Sequence, residues 1–523
     1  MTDNIKNRGK ILWVDDEIDF LKSHILFLEK KGFDLTPVNS GEDALYAIKE
    51  TRFDLILLDE MMSGLDGLTT LKRIKEIHPD LPVIMITKNE EEWLMEEAIG
   101  AQISNYLTKP VNPSQILLAC KNILETVQIQ SDKTTKDYLH DFQKISEDVD
   151  NAKDINDWYE IYGKFTDWAL KFDQFGDQGL SQIMSDQFTG ADQKFIQFIS
   201  ENYQEWMNAK DRPIFSPDIV KQYIKPILEN DEQAVLIVID SLRYDQWKSI
   251  SDLLYPYFSI NTDVCLSILP TATPYSRNAI FSGLFPDGLQ RKYPERCKEM
   301  FNDETSMNRF ESEFLKDQIN RLGLKNKSVN YFKIITYKDG NKLEKRIKEY
   351  SSTDLLAIVV NFVDMLGHSR SESDVLKEMV PDESAYRSAV RSWMENVWLL
   401  NVLKEVSTWN CKVIITSDHG TVRVQKPVKV KGDKFTSSGI RYKHGKQLSV
   451  QSRHGLTIVK PSLYNIEQTD FNTNYIIAKG DSFFVYPTDY HRFVNKFINS
   501  FQHGGISMEE MIVPVAILEG KKS

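Results

Sequence analysis

A chain of 523 residues, 41% apolar, 27% charged and 11% aromatic, exceeds what one hydrophobic core serves and is too apolar for disorder, so two or three globular domains are expected. Its formal net charge of -12 excludes broad, non-specific attraction to nucleic acid and confines any polyanion site to a local patch. Cys120, Cys265, Cys297 and Cys411 have neither paired nor CxxC spacing, which argues against a disulfide frame or thiolate zinc site and fits a reducing cytoplasm; with no secretory h-region and no apolar run near ~18 residues, a soluble protein without membrane insertion is expected.

From Lys10 to about Thr126, the runs KILWV, FDLTPV, FDLILL, PVIMIT and NYLTK alternate with helical patterns. This predicts an α/β domain over 1–125, a (βα)5 doubly wound parallel sheet. Over 126–215 the strand pattern gives way to helical spacing of Tyr138, Phe142, Trp158, Tyr162, Phe165 and Trp168, the core of a helical bundle connector. Pro213 and Pro217 mark the next boundary. Over 216–523 the strands QAVLIVID, LLAIVVNF and KVIITSD return, with helical segments such as Glu383 to Val406, so the whole is an α/β multidomain chain.

Asp15 and Asp16 end the first strand, Asp59 the third and Thr87 the fourth, and Lys109 precedes Pro110 after the fifth. A parallel sheet brings these to one carboxyl edge, where three carboxylates suit Mg²⁺ and Lys109 supplies a cation for a phosphoryl group. VDDE, LLDEMMSGLDG and TKP resemble the marks of the CheY-type receiver family, with Ser63 where that family usually has proline. The resemblance implies that Asp59 accepts the phosphoryl group and ligates Mg²⁺ with Asp16, Asp15 helping through water, and that Lys109 pairs with the phosphate. It also makes Thr87 and Tyr106 the switch pair, on a face that includes the Trp93 region.

In the last domain Asp240, Asp364 and Asp418 follow hydrophobic strands, with His368 and His419 beside two of them and His503 opening an HGG segment. Clustered carboxylates repel unless a cation intervenes, and three Asp with three His suit two Zn²⁺ ions. Such a pair stabilises the attacking and departing oxygens of a phosphoryl displacement. Within ILPTATPYSRNAIFSGLFP, Thr271 and Thr273 precede a predicted helix start, where a hydroxyl would face a phosphate met by helix N–H groups.

The order Asp240, PTAT, DMLGH, SDHG, HGG resembles the alkaline phosphatase superfamily, particularly its phosphodiesterase branch and the PglZ domain. That resemblance assigns Asp240, Asp418 and His419 to one zinc and Asp364, His368 and His503 to the other. Thr273 becomes the nucleophile, with Thr271 its rival, and Arg277 and Asn278 are candidates for substrate binding. From Arg423 to Lys446 there are eight Lys or Arg against one acid, Asp433, either a solvated β-ribbon face or an arm tracking a phosphate backbone.

Receiver, helical connector and PglZ-type domain in this order resemble the PorX-like response regulators of Bacteroidetes. The resemblance implies a sensor histidine kinase, homodimerisation on phosphorylation, regulators of type IX secretion as partners, and a zinc-dependent phosphodiesterase acting on oligonucleotides. A phosphomonoesterase, or a zinc-stabilised partner-binding output module with little turnover, are the competing readings.

Overall fold

The computed structural model describes residues 9–88, 103–175, 178–302, 307–430, 439–468, 472–487 and 490–521, so Trp93 and Asp433 lie outside the described residues. The chain divides into two compact units, Met1–Tyr138 and Leu139–Ser523.

In the first unit, β1 (Lys10–Val14), β2 (Asp34–Val38), β3 (Leu55–Asp59), β4 (Val83–Thr87) and β5 (Asn105–Thr108) form an all-parallel sheet in the order β2-β1-β3-β4-β5. All five residues of β3 and of β4 are buried, as near-continuous apolar runs require when both faces of a parallel sheet are covered. The helices α1 (Lys22–Glu29), α2 (Gly41–Glu50) and α3 (Gly67–Ile77) are placed by local chemistry. Ser40 caps α2 through the Asp43 N–H, and Asp66 caps α3 through the Thr69 N–H at 2.7 Å. Because the strands run parallel in register, Asp15, Asp59 and Thr87 reach the same edge.

Three long helices follow, α4 (Pro113–Asn151), α5 (Ile155–Phe175) and α6 (Gln178–Trp206). Aromatic residues of α5 and α6 pack together: Trp158 lies edge-on to Phe195 at 5.6 Å and Phe165 to Phe188 at 5.3 Å. α5 and α6 belong to the same compact unit as the C-terminal domain.

That domain is built on β6 (Gln233–Ile239), β7 (Phe258–Leu266), β8 (Val329–Ile334), β9 (Leu355–Val360), β10 (Cys411–Thr416) and β11 (Ile512–Gly520), in the order β7-β11-β10-β6-β9-β8. The four strands from β10 to β8 are parallel, whereas β11 runs antiparallel to both its neighbours. Alternate residues of β6 feed two cores, Val235, Ile237 and Ile239 on one face and Ala234, Leu236 and Val238 on the other. The helical segment expected over Glu383 to Val406 is broken into Glu383–Glu395 and Trp398–Val406, because Val397 adopts an extended conformation between them. No helix among the described residues is long and apolar enough to cross a membrane.

Gly67 marks a close approach beside the carboxyl edge of the first sheet: a Cβ there would lie 2.3 Å from the Asp59 carbonyl oxygen and 2.7 Å from Glu60 Cα. Gly67→Ala is expected to destabilise the first unit by about 1–3 kcal/mol through overpacking against backbone. Calorimetry of the full chain should show the transition of the first unit lowered and that of the second unchanged.

Candidate functional site

The ends of β6, β9 and β10 deliver the second unit's carboxylates to one place. Asp240 directly follows β6, its N–H bonded to the Val360 carbonyl at 2.9 Å. Asp364 lies in the first turn of α7 (Phe362–Glu372), and Asp418 comes just after β10. The structure brings the six predicted side chains into two triplets, Asp240 with Asp418 and His419, and Asp364 with His368 and His503. Within each triplet the potential ligand atoms lie within 4.8 Å of one another. The triplets adjoin, since the His419 and His503 rings stack at 4.2 Å. The first is sealed, with Asp418 and His419 at 0% exposure, whereas the His368 side chain is 52% exposed, so access is from the second.

Electrostatics favour cations here. Burial, reinforced by the Asp418 charge, raises the Asp240 carboxyl well above its usual range, and burial pushes Asp418 up to about 6. Burial likewise lowers both His419 and His503, favouring the neutral imidazoles that metals bind. Asp418 Oδ2 and His503 Nδ1 are buried without a hydrogen bond, and His419 Nδ1 contacts the Gly420 carbonyl at 3.1 Å, leaving Nε2 for the cluster. Orphaned acceptors, neutral imidazoles and mixed oxygen and nitrogen donors fit two divalent ions of the zinc type.

Two threonines competed for one role in the sequence, and their surroundings differ. Thr273 opens α8 (Thr273–Ser282), where Ala272 is extended and Pro274 sits in the first turn. Its hydroxyl lies 3.0 Å from His419 Nε2 and 3.3 Å from Asp240 Oδ1. The Thr271 hydroxyl is committed to the backbone of the HGG loop, donating to the Gly505 carbonyl at 2.7 Å and accepting the Gly504 N–H at 3.2 Å.

Of the residues expected at the substrate, Arg277 pairs with Asp240 and Glu311 and is buried. Asn278 is engaged away from the triplets: its amide donates to the Pro274 and Met307 carbonyls at 2.8 and 3.1 Å. Three side chains at the centre were not anticipated. Ser241 donates its N–H to Asp418 at 3.2 Å and its hydroxyl to Asp364 at 3.1 Å, from a backbone φ of 63°. Asn361 donates to Asp240 at 3.1 Å, and Asn308 to the Thr273 carbonyl at 3.2 Å. The adjacency of Ser241 to Asp240 was the only available signal; Asn308 and Asn361 arrive through tertiary packing.

In the first unit, Asp15 and Asp59 are buried and Asp16 is exposed, the three carboxylates forming a third possible metal cluster. Lys109 Nζ lies 2.9 Å from Asp59 and 3.1 Å from Asp15. Burial, countered by Lys109, raises the Asp59 carboxyl to about 6. Ser63, the departure from proline, donates both its N–H at 2.9 Å and its hydroxyl at 3.1 Å to Asp16. The Thr87 hydroxyl donates to Glu60, and Tyr106 is 41% exposed. A cleft of about 440 Å³ lined by Asp16, Glu60, Met61 and Ser63 opens beside this cluster.

The described part of the basic stretch is mostly β-ribbon. Lys426–Lys429 pairs with Ser482–Val485 and Tyr442–Lys446 with Thr473–Ala478. Arg441 is buried against Glu510, Lys426 pairs with Asp481 at 3.1 Å, and the Lys443 and Lys429 amino groups lie over Tyr486 and Tyr490 at 4.4 and 4.5 Å.

Family models match three stretches of the chain. Residues 11–121 match the response regulator receiver domain, 128–207 the PorX response regulator linker domain, and 219–518 the BREX system PglZ alkaline phosphatase-like domain. Among curated relatives, the transcriptional regulatory protein ResD of Bacillus subtilis is 31% identical over 159 residues, covering 30% of this chain and 65% of ResD. The alkaline phosphatase synthesis transcriptional regulatory protein PhoP of the same species is 29% identical, covering 32% and 68% respectively. The chain thus spans about two thirds of the length of these relatives. Among solved structures, the receiver domain of NtrX from Brucella abortus is 33% identical, covering 22% of this chain and 98% of that one with a TM-score of 0.21. A Francisella response regulator receiver domain, 26% identical, covers 23% and 98% with a TM-score of 0.22. With the PglZ match extending over more than half its length, behind a receiver and a PorX-type linker, the chain belongs to the PglZ alkaline phosphatase-like family in the form of a PorX-like response regulator.

Proposed function

We propose that phosphorylation of Asp59 controls a two-zinc phosphodiesterase in the second unit, acting on oligonucleotides, in the regulation of type IX secretion. The phosphodonor is a sensor histidine kinase, and phosphorylation promotes homodimerisation through the Thr87 and Tyr106 face. The observation that carries the catalytic reading is the Thr273 hydroxyl, beside His419 and Asp240 at the N-terminus of α8 while the Thr271 hydroxyl is occupied. Asp240, Asp418 and His419 would hold one zinc, and Asp364, His368 and His503 the other. Bound zinc supplies Lewis acidity to the phosphoryl oxygens and lowers the pKa of a hydroxyl beside it.

The protein's own groups do the remainder. Thr273 gives up its hydroxyl proton as Oγ1 forms a bond to phosphorus and the bond to the departing oxygen breaks, that oxygen leaving as the alcohol with a proton gained. Water then adds to phosphorus, the bond to Oγ1 breaks, and the proton released from water restores the Thr273 hydroxyl. The positive end of the α8 dipole faces the phosphate at this position. Arg277 holds Asp240 in place. Its Nε and one terminal nitrogen are taken by Glu311 and Asp240. The exposed second triplet admits a long substrate. In the receiver, Lys109 offsets the charge of Asp15 and Asp59 and would pair with the incoming phosphoryl oxygens.

Three outcomes are expected. Thr273→Val should keep two zinc ions and its melting temperature while cleavage of a diester falls by orders of magnitude; Asp418→Ala or His419→Ala should lose metal, stability and activity together. Assay of zinc-loaded protein on mono-ester, di-ester, linear and cyclic oligonucleotide substrates, with metal analysis, decides the matter: monoester preference makes it a phosphomonoesterase, and absence of turnover on all makes it a partner-binding output module. Acetyl phosphate with Mg²⁺ should label the wild-type chain and shift its sedimentation toward a dimer, and Asp59→Ala should do neither. Without Mg²⁺ the Asp59 carboxyl, raised from 3.8 to about 6, holds a proton that the unfolded chain has released. Receiver stability should therefore fall as pH rises from about 4 to about 6, and Mg²⁺ should abolish that fall in pH-dependent thermal melts.

A further inference from the structure

One helix of the linker bonds to two loops of the candidate metal centre. On α6, Asp192 is 7% exposed and accepts the Met508 N–H at 2.7 Å. Met508 opens the helical turn Met508–Met511, whose first N–H groups have no partner inside the turn. In that turn the Glu510 carboxylate accepts the Gly505 N–H at 2.8 Å and is clamped by Arg441. Gly505 stands two residues from His503, so Asp192 bears on that ligand through a continuous set of bonds.

Eleven residues further along the same helix, Tyr203 is fully buried, and its hydroxyl accepts the Leu269 N–H at 2.9 Å. Leu269 leads directly into Thr271 and Thr273. Eleven residues are about three turns at 3.6 residues per turn, so Asp192 and Tyr203 share one helix face. The two loops they hold are joined to each other, since Thr271 bonds the backbone of both Gly504 and Gly505. A single rigid element therefore grips the loop of a metal ligand and the loop of the hydroxyl beside the other triplet.

We propose that α6 is the positioning strut of the metal centre: Asp192 and Tyr203 fix the spacing between the His503 loop and the Thr273 loop, so that the seating of the linker sets whether the centre is competent. The proposal rests on the metal reading given above but not on turnover of any substrate. Neither residue touches a metal position, so both act through the loops they bond. Burial raises the Asp192 carboxyl to about 7, which makes a neutral carboxamide of the same shape a fair replacement.

The test uses the full chain, stripped of metal and titrated with Zn²⁺ against a chromophoric chelator, with hydrogen exchange measured on the same samples. Asp192→Ala should weaken the second zinc site about 10- to 100-fold, as loss of a group supporting a ligand does, and leave the first unchanged. Asp192→Asn, which keeps the acceptor oxygen, should restore it. Tyr203→Phe keeps the ring against Tyr464 and Phe215; it should speed exchange at 269–273 and also at 503–508, because the strut joins the two. Wild-type zinc affinity at both sites in Asp192→Ala, failure of Asp192→Asn to rescue, or exchange in Tyr203→Phe confined to 269–273 would each overturn the proposal. A wild-type chain that binds fewer than two zinc ions overturns the metal reading with it. Loss of diesterase function alone, as Thr273→Val reports it, leaves the zinc titration fully readable.

Discussion

Asp240 and Asp418 are almost completely sealed from water, and Asp364 joins them at the end of the same parallel strands. Carboxylates in that position cannot rely on solvent to screen their repulsion, so the surrounding chain must neutralise them, protonate them or give them a cation. Much of the second unit answers that demand. Arg277 is shared between Asp240 and Glu311, Ser241 and Asn361 donate hydrogen bonds, and three imidazoles close the ring of donors. The receiver meets the same demand on a smaller scale, with Lys109 set between Asp15 and Asp59. Both units place their chemistry at the carboxyl edge of a parallel sheet, which keeps the carboxylates converged whatever the intervening loops do.

The convergence was legible because its determinants are local. An apolar run ending in an aspartate states both that a strand is present and that its acid stands at the strand's end, as in AVLIVID and VIITSD. Parallel pairing of β6, β9 and β10 then leaves little freedom in where the acids meet. What was not legible depends on contacts between distant segments. Nothing near Arg277 announces Glu311, and nothing in the helical spacing of α6 distinguishes Asp192 and Tyr203 from ordinary surface and core residues. The same limit separated Thr271 from Thr273: both hydroxyls are buried or nearly so in similar sequence surroundings, and only the approach of the HGG loop decides which is occupied. Asn278 lies one residue from Arg277, yet a helix turns adjacent side chains by about 100°, toward different neighbours.

The position of β11 has a consequence for how the molecule comes into being. That strand lies between β7 and β10, and it follows the His503 loop almost immediately in the chain. On the ribosome, every other strand of the sheet emerges before it, so β7 waits without a neighbour in the sheet while β10 shows an open edge. His503 arrives in the same late segment. The receiver, contained in the first part of the chain, can complete its own sheet and its cluster of three aspartates long beforehand. A nascent chain would thus complete its first sheet long before its second, and the cluster of aspartates and histidines would close only as the last strand of its sheet is inserted.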